Sequence, residues 1–330
     1  MTGGRRLRLG FVPLTDAAAL IVARHRGFFA GEGLRVELSR EASWATVRDK
    51  VSVGALDGAH MLAPMALATS IGAGCDPVAL VAPMALNRGG AAVTVSSRLS
   101  AALGDRPGAE GLAALLGRRR AQNSSLLTFG VVFPYSTHNY LLRDWMARAG
   151  IDPRRDVRLT VSPPERSAEL LGDGVIEGFC AGEPWGAVAA RAGVGRIVMR
   201  ASRFAPDAPD KVFAVTEAWA AANAADLQGL LRALLRASAW VEDPAHRADL
   251  LSLLAEPANV GVASETIAAG LGGIRFFGRG VNRPEAAHGA WILAQMARWG
   301  QVASGPDIGP VASRIFRSDL FDDANAALGA

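Results

Sequence analysis

The residues whose types and spacing could do chemistry sit at four junctions where a strand gives way to a helix. These are Pro13-Leu14-Thr15-Asp16, Glu41-Ala42-Ser43-Trp44, Tyr135-Ser136-Thr137-His138 and Gly182-Glu183-Pro184-Trp185. At least three carry Ser, Thr or Asp where a helix begins, which suits N-capping. Helix N-termini present unpaired N–H groups and a positive dipole end, so several converging on one cleft would form an anion site. Every helix also needs a cap, so no single junction is a site by itself. Lys occurs only at positions 50 and 211; the remaining basic side chains are Arg. Lys211 is a compact charge with three donors, suited to a small anion, although a lysine at a strand edge is commonly just solvated. Trp44 could pack in the core, or cover a planar ligand and donate its indole N–H. His138 falls in the first turn of its helix, where the positive dipole end favours a neutral ring over an imidazolium. Glu183 would repel an anion unless it orients Lys211 or His138, and that orienting role towards one or the other is the expectation.

Other chemistries find little support. There is no GxSxG, HExxH or P-loop, and no GxGxxG following a strand. The five histidines (25, 60, 138, 246 and 288) do not fall at metal-ligand spacing with Cys or carboxylates. Arg118–Arg120 is the one tight basic run and lacks interleaved aromatics, so it reads as a solvated helix face rather than a nucleic-acid surface. No catalytic residue, metal or cofactor is expected.

The elements that must position these residues alternate strand and helix. Strands are expected at 7–13, 34–40, 55–61 and 77–84, with helices between them, the first running from Thr15 to Gly33. Such alternation argues for parallel, doubly wound sheet. A β-branched strand at Ala91–Ser97 precedes a weaker Gly/Pro/Arg-rich stretch to about Asn123. A second α/β set then spans 126–200, and KVFAVT at Lys211–Thr216 is a late strand followed mostly by helix. That strand is best explained as a return to the first lobe. The expected lobes are 1–96 plus 203–330, and 97–202. In open α/β sheets ligands collect at the carboxyl ends of strands, where the four junctions lie.

With 330 residues the chain is long enough for two lobes that each bury a core. Thirty-five basic against 31 acidic residues leave a net charge of +4, too balanced for a nucleic-acid protein. The start, MTGGRRLRLGFVPL, is basic but has no apolar segment or small-residue cleavage site of a signal peptide, and no stretch is long enough to span a membrane. Cys75 and Cys180 are too few and too far apart for a disulfide framework or CxxC site. A cytoplasmic location is therefore expected.

The block EASWATVRD…LDGAHML (41–62), with FPYSTHNYLLRDWMARAGIDP, SPPE, GFCAGEPW and DKVFAVT, resembles the nitrate/bicarbonate substrate-binding family (the NrtA/CmpA/NasS group) over residues 7–220. The resemblance implies a two-lobed, periplasmic-binding-protein-like (type II) α/β fold with the ligand cleft between lobes. It also implies ligand contacts from Trp44, His138, Lys211, Pro164 and the backbone at Ala181 and Gly182. One departure concerns a Gln expected after a Gly in the segment Leu86-Asn87-Arg88-Gly89-Gly90, where this chain has none; Asn87 or Arg88 would have to substitute. The chain looks most like the cytoplasmic NasS-type members. These are implied to bind nitrate or nitrite and to hold a NasT-type RNA-binding antiterminator, releasing it when the anion binds. The binding component of a nitrate or bicarbonate transporter is the alternative, and an enzyme is not expected.

Overall fold

The computed structural model describes residues 6–104, 107–303 and 308–329. The basic start Met1–Arg5, on which part of the leader reading rested, lies outside these residues. Among the described residues twelve strands form: β1 (Arg6–Phe11), β2 (Arg35–Arg40), β3 (Gly58–Leu62), β4 (Leu80–Ala85), β5 (Arg88–Gly89), β6 (Ala91–Ser96), β7 (Leu127–Val131), β8 (Val157–Val161), β9 (Gly178–Gly182), β10 (Gly195–Arg200), β11 (Lys211–Thr216) and β12 (Ile274–Arg275). They build two five-stranded sheets, ordered β2-β1-β3-β11-β4 and β10-β6-β9-β7-β8, and a short ribbon of β12 with β5. Each sheet anchors one lobe of a two-lobed α/β fold.

Both sheets are mixed rather than wholly parallel. β1 runs parallel to β2 and β3, whereas the returning β11 is antiparallel to β3 and β4. In the second sheet β7 is parallel to β8 and β9, but β6 is antiparallel to β9 and β10. β6 therefore belongs to the second sheet, although the sequence reading places residues up to 96 in the first lobe. The chain leaves the first sheet after Ala85 and comes back between Arg200 and Lys211. Its apolar, β-branched pattern marks Ala91–Ser96 as a buried strand without saying which sheet completes its hydrogen bonds.

The helix expected over Thr15–Gly33 is three pieces. A 3-10 turn at Thr15–Ala17 leads into the helix Ala18–His25, and Gly27, at φ 75°, turns the chain into a short helix at Phe28–Gly31. A positive φ is readily adopted by glycine and interrupts a right-handed helix. The weak stretch after Ser96 holds two helices, Ser97–Leu103 and Ala109–Ala121. The second carries Arg118 and Arg120 on its exposed side.

One face of the first sheet packs Leu7, Leu9 and Phe11 against the helices Ala18–His25 and Ala224–Glu242. The longer helix buries Leu227, Leu230, Leu231, Leu234 and Val241, the spacing of a single helical face. The other face forms an apolar cluster that crosses between lobes, joining Trp44, Met61 and Leu62 to Tyr140, Phe179 and Trp185. The C-terminal residues brace this closure. From the helix Ala286–Arg298, Gln295 Nε2 and Arg298 Nη1 donate to Asp144 of the second lobe at 3.1 and 2.7 Å. Gln301 accepts from Tyr140 Oη at 2.8 Å. Among the described residues no helix is long and apolar enough to cross a membrane.

Leu234 is fully buried where the long helix meets the first sheet. Leu234→Ala should cost about 2–5 kcal/mol of unfolding free energy, measured by chemical denaturation, because the packed surroundings relax only partly into the cavity.

Candidate functional site

A group of buried ionisable side chains lies where the lobes meet. Lys211 opens β11 and is 0% exposed, as are Asp16, His60 and His138. The Lys211 ammonium donates to Asp210 Oδ1 at 2.7 Å and lies 2.8 Å from Asp16 Oδ2. His60 Nε2 lies 2.9 Å from the other Asp16 oxygen. The strand order produces this meeting: β3 runs between β1 and β11, so His60 lies between the loop that follows β1 and the start of β11.

Trp44 is the first residue of the helix Trp44–Ser52, whose first turn is held by Ser43 Oγ accepting from Thr46 N. Its ring centroid is 5.2 Å from that of His60 and 5.7 Å from the Lys211 ammonium, within cation–π range. The Trp44 indole N–H is buried and finds no acceptor within the protein. From the second lobe, His138 enters in the first turn of the helix Thr137–Arg148, which Ser136 caps by accepting from Asn139 N. Both His138 ring nitrogens are also buried without a partner. Gly182, at the end of β9, closes the group. A Cβ there would lie 2.6 Å from a Leu14 methyl, 3.2 Å from Asp16 Oδ2 and 3.5 Å from His138 Nε2, so only glycine allows the lobes this approach. Hydrogen bonds cross at the same level: the Thr15 backbone N donates to Glu183 O at 2.9 Å, and the Trp185 indole Nε1 to Pro13 O at 3.2 Å.

Burial opposes the charged forms of Asp16 and Lys211, but each is the other's remedy. Desolvation works to raise the Asp16 pKa, and Lys211 with His60 outweighs it and holds the carboxylate well below its ordinary range. Desolvation works to lower the Lys211 pKa, and Asp16 with Asp210 raises it above the usual lysine value. His138 is pushed down to about 4, first by burial and then by the Lys211 charge, so its ring is neutral near pH 7. Burial is thus the leading cause of its neutrality. Burial pushes the Cys180 thiol up, which keeps it protonated.

Trp44, His138, Lys211 and Gly182 come together as anticipated, with Ala181 buried beside Gly182 in β9. Other expectations change. Lys211 is not a lone positive charge, because two aspartates flank it. Glu183 orients neither Lys211 nor His138. Its carboxylate accepts from Arg200 Nη1 at 2.6 Å and from Ala187 N at 3.1 Å. Burial raises its pKa despite that arginine. Neither Thr15 nor Asp16 caps its helical turn, and no side-chain cap holds the helix after Pro184. Pro164 is buried in the turn Pro164–Arg166, whose Glu165 reaches Arg40 of the first lobe at 3.1 Å. Of the two suggested stand-ins for the missing Gln, Asn87 spends its Nδ2 on Gly89 O at 3.0 Å, and Arg88 Nη2 lies 2.8 Å from His288 Nε2. Arg88 Nη1 remains buried without a partner.

Asp16, His60 and Asp210 were not singled out as ligand-site residues. A signal existed for each. His60 is a titratable residue inside an otherwise apolar strand, Asp210 adjoins the singled-out Lys211, and Asp16 stands in a junction read only as a cap. Among the described residues no group of three His, Cys, Asp or Glu is placed to hold a metal ion. An open groove of about 760 Å³ lies elsewhere, on the outer edge of the first lobe, lined by Phe11, Phe29, Val36 and Leu253 with Arg24 and Arg35, and by none of the site residues.

Two sheets linked by a double crossing, with buried polar groups from both lobes meeting between them, define a two-lobed solute-binding fold. Comparison with known proteins places the chain within that class. The model of the NMT1-like family matches residues 3–255. The bicarbonate transport ATP-binding protein CmpC of Synechococcus elongatus is 36% identical over 98% of this chain and 50% of its own length. The nitrate/nitrite binding protein NrtA of the same species is 30% identical over 97% of this chain and 77% of its own. The crystal structure of the periplasmic nitrate-binding protein NrtA from Synechocystis superposes with a TM-score of 0.92 at 27% identity, covering 98% of this chain and 89% of that one. The chain belongs to the NMT1-like family and is related to the nitrate/nitrite binding protein NrtA. It spans half the length of its CmpC relative and of the nitrate import ATP-binding protein NrtC, 50% in each case.

Lys211→Met should lower stability at pH 7 by roughly 3–5 kcal/mol, because two buried carboxylates lose their cation. Asp16's depressed pKa contributes stability that is present above the ordinary carboxylate range and lost as pH falls below it. The deficit of the variant should therefore hold from pH 7 to about pH 4 and shrink as pH falls further, as measured by denaturation at each pH. A deficit that is constant with pH would exclude the ion pairs as its source.

Proposed function

We propose that this protein binds a small inorganic anion, nitrate or nitrite, in the closed cleft between its lobes. One observation carries the reading. The Trp44 indole N–H and the one N–H of the neutral His138 ring, from opposite lobes, are buried without protein partners beside the Lys211 ammonium. Unpaired buried donors are costly, and a ligand that accepts from them restores the lost hydrogen bonds. An oxyanion supplies acceptors in several directions and no bulk. Relatives named for nitrate, nitrite and bicarbonate support the same class of ligand.

The downstream role divides into two readings. In the first, the protein is a NasS-type sensor working in the cytoplasm, which holds a NasT-type antiterminator and releases it when the anion closes the cleft. Such release requires the partner to prefer the open form, since a ligand shifts an equilibrium only by its differential affinity. The second reading, the substrate-binding part of a nitrate or bicarbonate transporter, is favoured by the relatives, whose names are those of transport and binding proteins. Anion-dependent release of a purified antiterminator would decide for the first, and anion uptake that depends on this chain for the second. In neither reading does the chain turn over a substrate.

Calorimetric titration with nitrate, nitrite, bicarbonate and chloride tests the binding step. Micromolar nitrate or nitrite affinity with no response to chloride is expected, and silence towards all four would sink the proposal. Trp44→Phe, which keeps an aromatic ring but removes the indole N–H together with part of the bicyclic bulk, should weaken anion binding about tenfold, the loss of roughly one hydrogen bond. The smaller buried ring should also lower the thermal unfolding midpoint, and a variant that binds nitrate as tightly as the wild type would remove the indole N–H from the site.

A further inference from the structure

Lys211 lies against Asp16 and Asp210, and Arg88 is a further buried cation within electrostatic reach of Asp210. Glu183 is paired separately with Arg200. His138 is neutral, so when the His60 ring carries no added proton the buried charges sum to zero. A monoanion enclosed there would add one uncompensated negative charge in a place shielded from water, which is unfavourable unless a positive charge appears with it.

His60 is placed to supply that charge. Its Nε2 faces Asp16 at 2.9 Å, its Nδ1 is buried without a partner, and the Trp44 ring covers it at 5.2 Å. The groups facing it are few. The loop after β1 presents Asp16, the start of β11 presents Lys211 with Asp210 behind it, and the second lobe presents His138. From the helix Trp44–Ser52 it meets Trp44, while Arg48 pairs with Asp49 and Lys50 with Glu41. The helix Ala63–Ser70, which follows β3, holds no titratable residue.

We propose that His60 takes up one proton as the anion binds, so that nitrate or nitrite enters the cleft together with H⁺ and Asp16 serves as the positioning carboxylate of the resulting imidazolium. The proton comes from solvent or buffer, and no bond of the anion is made or broken. Asp16 thereby has two tasks: one oxygen holds Lys211 and the other favours the protonated ring. His138 stays neutral and acts as a hydrogen-bonding group rather than a charge. This inference rests on the anion-binding reading and adds His60 and Asp16 to it. It also separates ligands by chemistry, since bicarbonate brings an O–H of its own whereas nitrate has none.

The test is calorimetric titration of the whole protein with sodium nitrate and sodium nitrite at pH 8, in Bis-Tris, imidazole and Tris. These buffers differ in ionisation enthalpy and carry no anionic group. About one proton taken up per anion is expected, with affinity falling up to tenfold per pH unit as pH rises from 7 to 9. In His60→Gln the uptake should vanish and the affinity should lose its pH dependence, whereas His138→Gln should weaken binding but keep the uptake. Nitrate binding without buffer dependence overturns the proposal and leaves anion binding standing, a result that needs no variant to fold. Uptake that persists in His60→Gln overturns the assignment to this residue. Binding of bicarbonate alone without uptake overturns it too, and no binding of any anion at any pH removes the reading beneath it.

Discussion

The structure turns on a fully buried ammonium, that of Lys211, held between two carboxylates. A lysine without water is tolerable only where opposite charge compensates it, and Asp16 and Asp210 provide that within 2.8 Å. Meeting this requirement constrains much of the fold. Asp16 must follow β1, Lys211 must open the returning β11, and β3 must run between them, which is the order seen in the first sheet. His60 rides on β3 and so reaches the second Asp16 oxygen. The ion group is thus a consequence of sheet order, and in turn favours that order over alternatives that would strand a charge in the core.

Closure of the lobes completes the enclosure. The second lobe contributes Gly182 and His138, and the backbone bond from Thr15 to Glu183 ties the loop after β1 to the end of β9. An apolar cluster continuous from Trp44 to Phe179 and Trp185 seals the surroundings. The residues after 216 do more than cover the first sheet. Through Gln295, Arg298 and Gln301 they also grip the second lobe, so the arrangement around the site depends on helices distant from it in the chain.

Much of the fold was legible in the residues. The alternating apolar run at Leu7–Phe11 and the Val- and Thr-bearing runs at Ala91–Ser96 and Lys211–Thr216 are strands because such side chains fit a half- or fully buried pleat. Ser43 and Ser136 cap the helices that carry Trp44 and His138, and these junctions read correctly because capping is local chemistry. The helix expected through Gly27 and the side-chain cap expected at Thr15 or Asp16 did not form. Glycine's left-handed conformation ended the one, and burial against Lys211 and His60 engaged Asp16 in place of the other.

The sequence by itself determined the alternation of strands and helices, the caps, and the singling out of Trp44, His138, Gly182 and Lys211, since each rests on short-range preference or on recognisable motifs. Only the tertiary structure decided that Ala91–Ser96 joins the second sheet, that Glu183 turns to Arg200, and that Asp16, His60 and Asp210 gather around Lys211. The reason is physical. A propensity is a property of neighbours along the chain, whereas the cost of a buried charge depends on which groups from other strands arrive within a few ångströms of it.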